Sequence, residues 1–149
     1  MPIRVRARQR DDRAAVAVEF ALIAPLMVLL AAGIIQYGLY FWAMQAGTNA
    51  ASDAARALSV GNCQSSSALQ AFATRDVGSS AASTVTATPT YSVNGTTVAS
   101  PGQPGGDVSV TVSFQAVNLH LPLVPLPNGG SVIRTFHARV ESITALGTC

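Results

Sequence analysis

One carboxylate, Glu19, stands where the arginine-rich start of the chain gives way to an apolar run that continues through Phe20 and Pro25. At a membrane boundary an acid can meet water or a lipid headgroup. It can also pair with a cation brought by a neighbouring chain, and in low dielectric an unpaired charge is costly. The other groups able to do chemistry are two cysteines, Cys63 and Cys149, and two histidines, His120 and His137. Neither histidine has a cysteine or carboxylate at metal-ligand spacing or stands in a nucleophile arrangement, so both are expected at the surface. No glycine-rich phosphate loop, carboxylate pair or nucleophile elbow occurs. The chain is therefore expected to be no enzyme, with no catalytic residue, cofactor, metal or small-molecule substrate.

The element that must position Glu19 is a long helix. From Phe20 to Met44 no residue is charged, and as an α-helix that stretch would be roughly 37 Å long, enough for a hydrocarbon core of about 30 Å. Tyr37, Tyr40, Phe41 and Trp42 cluster at its far end, where amphipathic rings favour the membrane boundary, and five arginines (Arg4, Arg6, Arg8, Arg10, Arg13) precede its near end. By the positive-inside rule the N-terminus is cytoplasmic and the C-terminal part faces outward. An ordinary secretory signal has a shorter apolar region and a small-x-small cleavage site soon after it. Here the run is longer and ends in aromatics.

All nine basic residues are arginine. The leader, with Asp11 and Asp12, carries +3, and the remainder carries −1, so the folded body has no basic face to neutralise phosphates. A nucleic-acid partner is excluded on that ground. The hydrophobic share of 49% against 11% charged residues leans toward a membrane-associated chain with one small domain.

Beyond the apolar run, helical patterning continues through "QAGTNAASDAARALSVG", with Ala43, Gly47, Ala51 and Ala55 in one row and Ala46, Ala50 and Ala54 in the next. Such rows permit close backbone approach, either to another helix in an assembly or to the chain's own globular part. The second, plainer reading is the expected one. Gly61 and Asn62 suit a helix end, and "SSSALQAFATRDV" suits a second helix, capped by serine, with Leu69, Phe72 and Ala73 on one face toward a sheet.

The rest reads as strands. "STVTATPTYSV" and "TTV" flank Asn94-Gly95, a two-residue hairpin turn in which both central positions need positive φ. Pro89 implies an edge strand or a bulge. In "DVSVTVSFQA" strict alternation puts Val108, Val110, Val112 and Phe114 on one face, and "SVIRTFHARVESIT" supplies a last strand. Between them "HLPLVPLPNGG" is a proline-studded loop whose Leu121, Leu123, Val124 and Leu126 either tuck onto the core or stay on the surface. A disulfide between Cys63 and Cys149 is expected, because both fall on the side assigned to an oxidising compartment. Closing a loop of about 87 residues would stabilise by roughly 4 to 5 kcal/mol in the chain-entropy model, less any strain. Free thiols and bonds to other chains remain the alternatives.

The stretch "AAVAVEFALIAP", the small-residue stem ending in "DAARA" and the late "ARVE" resemble the TadE-like family of pilin-like proteins from the tight-adherence (Flp-type) pilus apparatus of bacteria. In that family's precursors a membrane aspartic peptidase removes a short basic leader after a small residue, usually glycine, and leaves a glutamate fifth in the mature chain. The resemblance therefore implies cleavage between Ala14 and Ala15, with alanine standing where the family has glycine. It implies that Glu19, beside Phe20, sets subunit register by pairing with the α-ammonium of a neighbour. Pro25 would loosen or kink the helix by removing a bond to the Ala21 carbonyl. The implied role is a pseudopilin or minor pilin in pilus assembly and cell adhesion. Its partners would be the prepilin peptidase, other pseudopilins and the major pilin, inner-membrane platform proteins and membrane lipid.

The expected architecture is α+β: a leader at residues 1–14, a membrane helix at 15–44, a helical stem at 45–60, and a periplasmic domain at 61–149 built on a small antiparallel sheet with one extra helix. Such a protein sits in the bacterial inner membrane and can pass into an extracellular pilus. Two other readings use the same ectodomain. One is an unprocessed, permanently anchored protein-binding module that displays the Pro-Leu loop. The other is a secreted domain released by ordinary signal peptidase.

Overall fold

The computed structural model describes residues 5–61, 65–99 and 104–141, with side chains from residue 14 onward. Helix α1 spans Val5–Ser59. Two compact units, Met1–Ile35 and Gln36–Cys149, divide the chain at a point inside this helix. In the first unit the side chains of Phe20, Leu22, Ile23, Leu26, Met27, Val28 and Leu30 are exposed on successive sides of the helix. A helix apolar on all sides belongs either in the core of a protein or in a membrane. By length and composition α1 can cross a membrane.

In the second unit α1 changes character. Gln36, Tyr40, Ala43, Gly47, Ala50, Ala54 and Leu58 are buried at steps of three and four, which draws one stripe along a helix, and Ala51 and Ala55 widen it. The stripe packs on the sheet, and its small members set the distance. A Cβ at Gly47 would stand 3.0 Å from Phe114 Cε1 and 3.2 Å from Val132 Cγ1. The two small-residue rows read from the sequence thus face the chain's own domain. The Val60 and Gly61 N–H groups bond the carbonyls of Arg56 and Leu58, and Gly61 adopts φ +83°, which turns the chain out of the helix. The Glu141 N–H donates to the Ser59 carbonyl at 2.9 Å, tying the helix end to the segment that follows the last strand.

Helix α2, Ser66–Val77, starts where Ser65 Oγ accepts from the Ala68 N–H, and it buries Leu69, Ala73 and Val77. Phe72 packs at the margin of the core. Gln70 Oε1 accepts the Ala87 N–H at 3.0 Å, joining α2 to the first strand.

Four antiparallel strands follow: β1 Thr86–Val93, β2 Thr96–Val98, β3 Asp107–Gln115 and β4 Ser131–Arg139, in the order β2-β1-β3-β4. Strand β3 alternates as expected, with Val108, Val110, Val112 and Phe114 buried. The β1–β2 turn has Asn94 at φ +51° and Gly95 at φ +78°, the pair of positive values a tight hairpin requires. The last strand ends at Arg139, earlier than the pattern suggested.

Pro89 sits in β1, which lies between two neighbours, yet the proline costs the sheet nothing. Strand β2 pairs only with Tyr91–Val93, so the Thr86–Thr90 half of β1 has β3 on one side and no strand on the other. Ala87 points its N–H away from β3, to Gln70, and Pro89, two residues on, would point the same way. Its missing donor falls on the open side.

Candidate functional site

The residues singled out near the N-terminus lie in the first unit. Ala14, Ala15, Glu19 and Phe20 are all helical and exposed. Ala15 and Glu19, four residues apart, share one side of α1 about 6 Å apart along the axis. Glu19 is the single charged residue from Ala14 to Ile35. Pro25 stands inside α1 and leaves the Ala21 carbonyl without its usual helical donor, but the helix continues through it. The two cysteines expected to pair, Cys63 and Cys149, lie outside the described residues.

The second unit begins with a junction that sequence reasoning missed. Gln36 is fully buried, and its amide is used at both ends. Gln36 Nε2 donates to the Val117 carbonyl at 3.3 Å, and Gln36 Oε1 accepts the Leu119 N–H at 2.9 Å. One side chain thus serves the backbone of a segment about eighty residues away, as a neighbouring strand would. The next residue, Tyr37, donates its phenol to the Pro125 carbonyl at 2.9 Å. Together they hold both ends of the loop Val117–Leu126 against the first turn of α1 in this unit. The available signal was a lone amide in a 25-residue uncharged run.

The loop itself divides its leucines. Leu126 packs on the core, while Leu123 is 86% exposed. His120 is exposed, with φ +51°, and its N–H bonds Asn118 Oδ1 at 2.8 Å. His137 is exposed on β4. Among the described residues no group of three or more His, Cys, Asp or Glu side chains could hold a metal ion.

The geometry is that of a helix with two environments: an apolar stretch, Ala14–Ile35, bearing one acid, and a stretch from Gln36 onward that packs on a sheet. A protein-family model described as TadE-like protein matches residues 14–56. The likeness spans 43 of the 149 residues, all of them in α1. It covers Ala14, Ala15, Glu19, Pro25, Gln36 and the buried small-residue stripe, and leaves the sheet and the Pro-Leu loop outside it. No curated protein and no solved structure matches the chain. For the TadE-like segment, one apolar helix near the N-terminus is compatible with a single-pass membrane protein.

Proposed function

We propose that this chain is a pseudopilin or minor pilin of a tight-adherence (Flp-type) pilus, held in the bacterial inner membrane with its N-terminus cytoplasmic and matured by a prepilin peptidase between Ala14 and Ala15. The observation that carries the reading is the TadE-like match over residues 14–56, on a helix that from Ala14 to Ile35 is apolar on all sides and bears Glu19 alone as a charge. In this reading the role is structural rather than catalytic and uses no cofactor. Cleavage creates an α-ammonium at Ala15. A neighbouring subunit's Glu19 neutralises it in a medium where either charge alone is expensive, and the pairing fixes the axial stagger of adjacent helices. Its partners are the peptidase, the other pilin-like subunits and the membrane platform on which they assemble.

The test is the N-terminal sequence of the protein purified from membranes of cells with and without the cognate peptidase. A peptidase-dependent start at Ala15 supports the reading, and Glu19→Gln should then leave the protein in the membrane while pilus assembly is lost. An intact leader, or normal assembly with Glu19→Gln, rejects it. The second reading, an unprocessed anchored binding module, is favoured by one departure, alanine at position 14 where the family has glycine, and it predicts the intact leader together with detergent-soluble monomers.

A further inference from the structure

We infer that the Pro-Leu loop Val117–Leu126 is a membrane-surface contact, with Leu123 inserted at the acyl-headgroup boundary beside the point where α1 leaves the bilayer. The inference rests on the reading of the apolar half of α1 as a membrane span.

Three independent observations meet in this loop. The first is position. Gln36 and Tyr37, which hold Val117, Leu119 and Pro125, are the residues that directly follow the apolar unit. Counted from Phe20, the residue after Glu19, about 20 residues of helix cross a hydrocarbon core of about 30 Å and bring the far boundary to the aromatic cluster that begins at Tyr37. The loop is bonded within about a turn of that boundary, at Gln36 and Tyr37. A tyrosine whose phenol is fixed by hydrogen bonding while its ring remains partly exposed suits such a boundary.

The second observation is backbone conformation. The Val124 N–H bonds the Leu121 carbonyl across Pro122 and Leu123, so these four residues form a turn with proline at its second position. Leu123, at the third, has φ +67°. Turns of this kind call for glycine or asparagine at that place, because a branched side chain is strained there. Leu123 is nevertheless 86% exposed, so little among the described residues packs on it. A strained residue with an unpacked apolar side chain points to a contact outside the chain.

The third is chemistry. From Val117 to Gly130 the chain has no acidic or basic residue apart from His120, and Leu119 is exposed close to Leu123 in sequence. A surface meant for another protein commonly carries polar groups around its apolar centre. This loop offers apolar tips on a proline frame, without charges that would resist entry into the interface.

The experiment uses the full chain in vesicles of phosphatidylcholine and phosphatidylglycerol, with Trp42→Phe removing the native indole. Single tryptophans are introduced by Leu123→Trp, by Leu119→Trp as a second loop position, by Leu26→Trp in the span, and by Thr135→Trp on the exposed sheet face. Emission is measured with lipids brominated near the headgroup or deep in the acyl chain. Leu123→Trp and Leu119→Trp should be quenched severalfold more than Thr135→Trp, and more strongly by shallow than by deep bromines, while Leu26→Trp responds to deep bromines. Loop tryptophans that respond no more than Thr135→Trp, while Leu26→Trp is quenched, overturn the loop contact and leave the span standing. Loop tryptophans shielded from iodide but blind to bromolipid also overturn it, since a second copy of the chain then covers the loop. An unquenched Leu26→Trp rejects the span, and the loop contact falls with it.

Discussion

Replacing Gln36 by leucine keeps the approximate volume of a fully buried side chain and removes both hydrogen bonds that join α1 to the loop, one at 2.9 Å and one at 3.3 Å. Two backbone groups lose their partner: the Leu119 N–H and the Val117 carbonyl. An orphaned buried polar group costs about 1–3 kcal/mol. Both groups are only part-buried, and the longer bond is the weaker, so the pair should cost about 2 kcal/mol, near the low end of that range. Leucine returns part of this by burying more apolar surface, about 1 kcal/mol from one or two extra methyl-sized groups. The expected net loss is about 1 kcal/mol, which for a domain of this size lowers Tm by roughly 4 °C.

Gln36→Glu separates the hydrogen-bond argument from the packing argument. Glutamate can still accept from the Leu119 N–H, but it sets an oxygen against the Val117 carbonyl and places a charge in a site with no exposure. It should destabilise more than leucine does, by roughly 3 kcal/mol or more. Gln45, exposed on the same helix, is the control, and Gln45→Leu should stay within about 0.5 kcal/mol of the parent. The assay is urea unfolding of the full chain in detergent, followed by Trp42 emission, with amide exchange of Leu119 as the local readout. Leu119 should lose protection in both Gln36 variants or keep it only with glutamate. If Gln36→Glu proves as stable as Gln36→Leu, or if both lie within about 0.5 kcal/mol of the parent, the amide is not what holds the loop.

Gly47→Val should destabilise by about 1–3 kcal/mol through overpacking, because even a Cβ there meets the Phe114 ring at 3.0 Å; denaturant midpoints measure it. Gly95→Val should cost about 1–2 kcal/mol for forcing a β-branched residue to φ +78°, although nothing lies within 4 Å of that site, so the same unfolding assay isolates backbone strain from crowding. Leu123→Asn should leave folding unharmed or raise stability by up to about 1 kcal/mol by relieving the left-handed leucine. A clear loss of stability would mean that Leu123 packs within its own chain.

How much was legible depends on whether the deciding contacts were local. The alternation in β3 was readable because period two places Val108, Val110, Val112 and Phe114 on one face whatever they meet there. The Asn94-Gly95 hairpin and the Ser65 cap were readable for the same reason, since backbone conformation and hydrogen bonding within a few residues define them. Pro89 was half readable: proline demanded an open side, but only the three-residue length of β2 revealed that a middle strand could provide one. The alanine rows could not choose between an assembly and the chain's own sheet, because close approach requires the same spacing for either. Gln36 was hidden by its surroundings. Its partners lie more than eighty positions away, and no periodicity announces them.

The composition of α1 is ordered by what each half must tolerate. From Ala14 to Ile35 every side of the helix is apolar, so rotation about its axis or sliding along a neighbour changes little unless a directional contact intervenes, and Glu19 is the one side chain in that stretch that carries a charge. Above Gln36 rotation is fixed by fit: glycine and alanine bring the helix so close to Phe114 and Val132 that another face could not replace them. Between these regimes a buried amide is a suitable divider. Gln36 can leave neither of its backbone partners without a cost, so it helps fix the Gln36–Ser59 part of α1 on the sheet domain.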